Sequence, residues 1–316
     1  MARLTFRMTL PGGCLVALTA VLLADPTRGD AAVFAGFDAV RHERFASDGT
    51  TPNPGFLANE SRISGVGLTP AVLITPQHYL TAAHIRSGGL NPTFRGGDGE
   101  VRTFTTDTSD GGSLRLTTTL SDGTTALSDL QLHRLSAPIP DTYGIRPLSL
   151  LGGSPDDIIG RELLVFAQDN RAGRNVADAV GLASFDQGDP SPTVVVGFSF
   201  DTDTNDGVGG LGPDEIGLTS GDSGHAALLR IGDEWVVVGT HFGIDISDGQ
   251  DPSAGDRYDS FSSLVTPYLS QINAFTSSDG FSVSVVAVPE PAGIAFCGCL
   301  TLLAVAWLRR SSLARS

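Results

Sequence analysis

His84, Asp129 and Ser223 are the residues of this chain whose types and settings could together perform nucleophilic chemistry. His84 closes the word Thr81-Ala82-Ala83-His84, which follows the apolar run Val72-Leu73-Ile74 and the turn Thr75-Pro76-Gln77. Ser223 stands inside Gly221-Asp222-Ser223-Gly224, ahead of the apolar run Ala226–Leu229. Asp129 heads Asp129-Leu130-Gln131-Leu132, 45 residues after His84 and 94 before Ser223. A serine hydroxyl is a poor nucleophile at neutral pH unless an imidazole accepts its proton and passes it on to the leaving group. That imidazole in turn needs a carboxylate to fix its tautomer and stabilise its cation. Backbone N–H groups must also face the oxyanion that develops. The glycines around Ser223 permit a tight turn that could present two such donors, the amides of Gly221 and Ser223.

These residues must be positioned by short extended elements. Ala71–Ile74, Leu163–Phe166, Thr193–Phe200 and Trp235–Thr240 are β-type runs between clusters of Gly, Asp, Ser and Pro, a pattern of antiparallel sheets in a sandwich or barrels. A late helix is expected over Ser263–Phe275, and a boundary between two β-rich halves around Pro138–Pro147. No repeat of 20–50 residues and no heptad occurs over residues 33–275.

The three words in this order and spacing resemble the chymotrypsin/trypsin family of serine endopeptidases. Val72–His84 is similar to that family's strand–turn–strand into the catalytic histidine, and Trp235–Gly243 to the strand lining its substrate cleft; the resemblance covers roughly residues 60–270. It implies an all-β fold of two Greek-key antiparallel barrels with a short C-terminal helix, the first over residues 33–145 and the second over 146–275. It further implies Ser223 as nucleophile, His84 as general acid/base, Asp129 as its orienting partner and the Gly221 and Ser223 amides as oxyanion hole. Gly217 would lie at the pocket base, and His241, Phe242 and Gly243 along the cleft, pairing with substrate as an added strand. The implied activity is hydrolysis of peptide bonds in a protein or peptide substrate.

The chain departs from the family at several points. His225-Ala226 follows the nucleophile word where Gly-Pro is usual, and Ile85 stands where many relatives carry a disulfide cysteine. The pocket-base position itself is Gly217 rather than the Asp that a preference for Arg or Lys normally needs. His241 admits two readings: a ligand for an acidic side chain, as in some bacterial glutamyl endopeptidases, or a residue that packs or bonds to Asp129. Val33-Phe34-Ala35-Gly36 is the nearest match to an activation sequence, whose new amine would pair with Asp222.

Both termini read as addresses. Arg3 and Arg7 precede the 11-residue apolar stretch Cys14–Ala24, too short to span a bilayer, and residues 1–24 read as a secretory signal with cleavage after Ala24 or Ala31. Ala292–Leu308 is an uncharged, mostly apolar run of 17 residues, read as a transmembrane helix, with Arg309, Arg310 and Arg315 in a basic cytoplasmic tail over 309–316. Pro289-Glu290-Pro291 directly precedes it as an exposed hinge, and residues 276–291 read as a linker or final strand leading there. This order resembles the PEP-CTERM sorting signal of Gram-negative bacteria. It implies export across the inner membrane, a signal peptidase and an exosortase-type sorting enzyme as partners, membrane anchoring through the C-terminal helix before processing, and a final place at the cell surface or in the medium.

Composition limits the alternatives. All 20 basic residues are Arg, and residues 25–308 carry 15 of them against 35 acids, a formal charge of −20. Such a body repels phosphate backbones, so nucleic-acid binding is not expected. Cys14, Cys297 and Cys299 all lie in the terminal runs, which excludes disulfides and cysteine zinc sites from the body between them. The acidic loop with Asp201, Asp203, Asn205 and Asp206 fails the EF-hand template, and the histidines lack paired metal-ligand spacing; neither metal nor cofactor is expected. A protease-like surface module that binds protein or polysaccharide without cleaving it is the alternative from another class.

Overall fold

The computed structural model describes residues 32–85, 91–185, 191–200, 210–246 and 258–289, together with the backbone of 2–9 and 15–22. Fifteen strands make up the body of the described fold, besides the two-residue pair Val33–Phe34 and Ile216–Gly217 and the N-terminal strands. In the first half they are β1 (Val72–Thr75), β2 (His78–Ala82), β3 (Thr93–Arg95), β4 (Val101–Thr103), β5 (Ser113–Thr119) and β6 (Thr125–Arg134). In the second half they are β7 (Ser149–Gly152), β8 (Glu162–Ala167), β9 (Arg171–Val176), β10 (Ala179–Phe185), β11 (Thr193–Phe200), β12 (Ala226–Ile231), β13 (Glu234–Asp245), β14 (Tyr258–Leu264) and β15 (Val285–Ala287).

Strands β1, β2, β6 and β5 form one antiparallel sheet in that order, with β3 and β4 as a separate ribbon. Alternation explains why β1 and β2 are buried throughout. Leu73 and Tyr79 point into a small cluster with Phe94, Leu135, Ile139 and Ile145. Val72, Ile74 and Leu80, on the opposite face, join Leu130 and Leu132 in a large cluster shared with the second sheet. A strand buried on both faces needs no polar alternation, and each such Leu contributes about 1.5–3 kcal/mol by leaving water.

The second sheet runs β9-β8-β12-β13-β14-β11-β10. It curls back on itself: the Asn175 side-chain amide in β9 donates to the Ser199 carbonyl in β11 at 3.0 Å, and Asp178 N to Gly197 O at 2.9 Å. Its inward residues fill the shared large cluster, so one apolar core runs beneath both sheets. The groove between them is where His84 and Ser223 emerge.

The expected all-β architecture with a short late helix is present. The helix spans Leu269–Ser278 rather than Ser263–Phe275. Ser263 and Leu264 belong instead to β14, where ladder bonds to β11 and β13 override local helical pattern, and a 3-10 turn at Thr266–Tyr268 with Pro267 opens the helix. Of the two readings for 276–291, a final strand forms in part: β15 pairs in parallel with β7, and Val288 is buried. The backbone of Ala2–Thr9 and Leu15–Leu22 forms two antiparallel paired strands within the expected signal segment, and the first pairs with the open edge of β10, which satisfies backbone groups. Among the described residues no helix is long and apolar enough to cross a membrane. The run 292–308, the tail 309–316, Glu290, Pro291 and the acidic loop at 201–206 lie outside the described residues.

Candidate active site

The hairpin of β1 and β2 delivers His84 to the groove. Pairing of Ala82 with Leu130 carries β2 along β6, and the bond from Ala83 N to Asp129 O, 2.5 Å, extends that pairing to the end of the strand. His84 then lies directly beside the Asp129 carboxylate. Asp129 Oδ1 accepts the His84 backbone amide at 2.8 Å, and Asp129 Oδ2 accepts from His84 Nδ1 at 2.7 Å. The carboxylate is buried, whereas the imidazole is about one-third exposed, at 33%. With Nδ1 donating to Asp129, the neutral ring carries its lone pair on Nε2. The second sheet steadies the arrangement: the Asp129 amide donates to Thr193 Oγ1 at 2.8 Å, at the start of β11.

Ser223 sits in the turn before β12. Gly221 at φ 108° and Gly224 at φ 76° adopt conformations that favour glycine. A Cβ on Gly224 would fall 2.5 Å from Ile85 Cδ1 and 2.7 Å from Thr81 Oγ1, so the turn lies against the strand that carries His84. Asp222 N donates to Thr219 O and Gly224 N to His241 O, while the Gly221 and Ser223 amides meet no acceptor among the described residues.

The side chain of Asp222 points inward. Its carboxylate accepts from Gln168 N at 2.9 Å and from Thr219 N at 2.7 Å, and burial raises its pKa to about 6. These two backbone donors hold the carboxylate, and Val33, at the start of the nearest match to an activation sequence, lies in a short strand paired with Gly217. Sequence reading missed Gln168 and Thr219, because they act through main-chain N–H groups that carry no residue-type signal.

His84 and Ser223 line one cleft of about 240 Å³, with Leu218, Thr219, Ser220, Phe242, Gly243 and Ile244 among its walls. Gly217 is not among the lining residues: a Cβ there would meet the Tyr258 hydroxyl at 2.2 Å and Phe200 at 2.8 Å, so aromatic rings close that side. His241 borders the cleft with both ring nitrogens engaged. Its Nε2 donates to the Phe166 carbonyl at 2.5 Å and its Nδ1 accepts from Ser262 Oγ at 2.8 Å. Burial pulls its pKa down to about 3, and that of His225 beneath Ser223 to about 4. A neutral, doubly bonded His241 neither bonds to Asp129 nor offers a charge to an acidic side chain. Phe242 occupies a bulge between His241 and Gly243, which pair with Ser262 and Phe261 of β14.

A second hydroxyl, imidazole and carboxylate string, of Thr75, His78 and Asp279, lies elsewhere. His78 Nδ1 bonds to Thr75 Oγ1 at 2.7 Å and Nε2 to Asp279 at 2.9 Å, but Thr75 and His78 are buried, and the string ties β1 and β2 to the end of the late helix. Among the described residues no three His, Cys, Asp or Glu side chains gather for a metal. Pro289, from the expected sorting motif, is the last described residue and borders a surface hollow with Asp156 and Arg161.

No protein-family model and no curated protein matches the sequence. Several solved structures are similar to it. The Rv3671c protease in its inactive form is 16% identical, with 67% of this chain and 83% of that chain covered and a TM-score of 0.37. The HtrA-type protease AlgW, solved with a decapeptide, is 14% identical, with 66% and 51% covered and a TM-score of 0.38. The NS6 protease of murine norovirus 1 is 13% identical, with 66% and 93% covered and a TM-score of 0.37. These likenesses concern the course of the chain, and the chemistry has to be argued from its own side chains.

Proposed function

We propose that this protein is a serine endopeptidase working through Ser223, His84 and Asp129. The observation that carries the reading is the two-point hold of Asp129 on His84, beside a cleft that Ser223 shares with the same imidazole. In the first step the Ser223 hydroxyl attacks the scissile carbonyl while His84 Nε2 takes its proton. Asp129 stabilises the resulting imidazolium without itself being protonated. The tetrahedral oxyanion is met by the Gly221 and Ser223 amides, each worth about 3 kcal/mol of barrier when preorganised away from water. The imidazolium then protonates the departing amine, leaving an acyl-enzyme on Ser223. Water, deprotonated by His84, attacks the acyl carbon; collapse of that intermediate returns the hydroxyl to Ser223 and releases the acid.

The terminal segments complete the proposal: export through the N-terminal signal and surface sorting through Pro289-Glu290-Pro291 and the apolar run behind it. A fluorophosphonate probe tests the catalytic reading. Wild-type protein should be labelled at Ser223 and hydrolyse peptides, and Ser223→Ala should do neither while remaining folded. Undiminished labelling of Ser223→Ala refutes the nucleophile. Absence of any titratable serine in wild-type protein favours the non-cleaving surface module. Cell fractionation with Glu290→Ala tests sorting, which should leave the protein in the inner membrane.

A further inference from the structure

We propose that residues 33–44 form a strap that sets the nucleophile turn, with Asp214 as its positioning residue; this rests on reading Ser223 as the nucleophile. The strap grips both backbone segments that hold the Asp222 carboxylate. At its start, Val33 and Phe34 pair antiparallel with Gly217 and Ile216. Ala35 N donates to Glu215 O at 3.0 Å and Gly36 N to Pro213 O at 3.2 Å. The gripped strand runs straight into Leu218, Thr219 and Ser220 of the cleft wall, and Thr219 N is one of the donors to Asp222. At its far end, Glu43 bridges to Arg171, and Arg44 N donates to Asn170 O at 2.9 Å. That second segment supplies Gln168, whose amide is the other donor to Asp222 and whose side chain lies against Gly221. Asp169 and Asn170 hold positive φ values of 60° and 58°, a conformation that costs energy and needs outside support.

The middle of the strap is fastened at one point. Asp214 is buried and accepts a two-pronged bond from the Arg41 guanidinium. His42, fully buried, takes the Asp38 amide on Nδ1, so its Nε2 carries the proton and faces Asp214 at 3.2 Å. Arg174 of β9 lies 3.8 Å away on the other side. Asp214 thus joins the strap, β9 and the segment leading to the cleft wall. Its loss would loosen both donors to Asp222 together, and the Ser223 turn with them.

The test uses the mature protein with Asp214→Asn, Arg41→Gln and Asp214→Glu. Asp214→Asn and Arg41→Gln should lower kcat about tenfold with KM within about twofold, since a misplaced turn impairs the transition state more than ground-state binding. Asp214→Glu should recover part of the loss. Hydrogen exchange at the amides of Gln168 and Thr219 should quicken in Asp214→Asn while amides in β2 and β6 stay protected. Unchanged kcat and unchanged exchange at both amides overturn the strap. A fall only in the fraction of folded protein, with kcat per titrated site unchanged, overturns it equally. Because the exchange measurement needs no hydrolysis, a wild-type protein that cleaves nothing would sink the nucleophile reading while still deciding whether the strap holds these amides.

Discussion

Asp129 holds His84 at two points, backbone amide and ring Nδ1, through the two oxygens of one buried carboxylate. A single oxygen would orient the ring only about one axis. The second contact pins the main chain of the same residue, so the point from which the imidazole projects is held beside the carboxylate that orients its ring. Asp129→Asn therefore keeps one bond to the amide but presents an NH₂ group to Nδ1, which forces the proton to the wrong nitrogen. We expect kcat to fall about 10³–10⁴-fold with little change in KM. Steady-state kinetics checks this, and a loss smaller than about tenfold would remove Asp129 from the mechanism.

Gly224 marks how tightly the two sheets close on the site. An added Cβ would collide with Ile85 and Thr81 and would have to adopt φ 76°. Gly224→Ala is expected to cost about 1–3 kcal/mol of stability, from strain and overpacking together. Urea unfolding gives the value. Peptide hydrolysis should drop as well, because the side chain pushes Ser223 away from the strand that ends in His84.

The cleft predicts a substrate preference. Leu218, Phe242 and Ile244 line it, His241 is neutral and fully bonded, and the Asp222 carboxylate is turned away to Gln168 and Thr219. With no charge offered to a side chain by these walls among the described residues, peptides carrying an uncharged apolar residue before the scissile bond should be cut fastest. A peptide-library profile decides, and a dominant preference for Glu, Asp, Arg or Lys would contradict this account of the walls.

His133 offers a pH test. It is stacked on Tyr79 at 5.1 Å, its buried Nε2 has no hydrogen-bond partner among the described residues, and burial lowers its pKa from 6.5 to about 4. Between those two values the unfolded chain binds a proton that the folded protein refuses. The neutral ring's contribution is therefore complete above pH 6.5 and is lost as pH falls toward 4. His133→Phe removes the titration and retains the stacking. Relative to wild type, the variant should gain about 2 kcal/mol of stability on going from pH 8 to pH 5. Urea denaturation at both values measures the gain; parallel behaviour of the two proteins would mean that His133 is hydrated.

Asp279 fastens the late helix to the first sheet through His78 and Arg134. Asp279→Ala leaves a buried His78 nitrogen unpaired and should destabilise the protein by about 2 kcal/mol. Catalytic constants per folded molecule should remain near wild type, which separates this Thr/His/Asp string from Ser223, His84 and Asp129 at the cleft.

The sequence by itself determined the parts whose chemistry is written in residue type. Alternating and unbroken apolar runs declared β1, β8, β11 and β13, since side-chain period and burial are local properties of a strand. His84, Asp129 and Ser223 were legible as candidates because an imidazole, a carboxylate and a hydroxyl are few enough in kind to stand out by their surroundings. Tertiary structure alone decided the rest. It ended the late helix's claim on Ser263 and Leu264, because ladder bonds from distant strands outweigh local propensity. It closed the side of the cleft at Gly217 with Tyr258 and assigned both nitrogens of His241. It also gave Asp222 to the amides of Gln168 and Thr219. Every residue but proline owns such an amide, so only the folded chain can say which ones arrive.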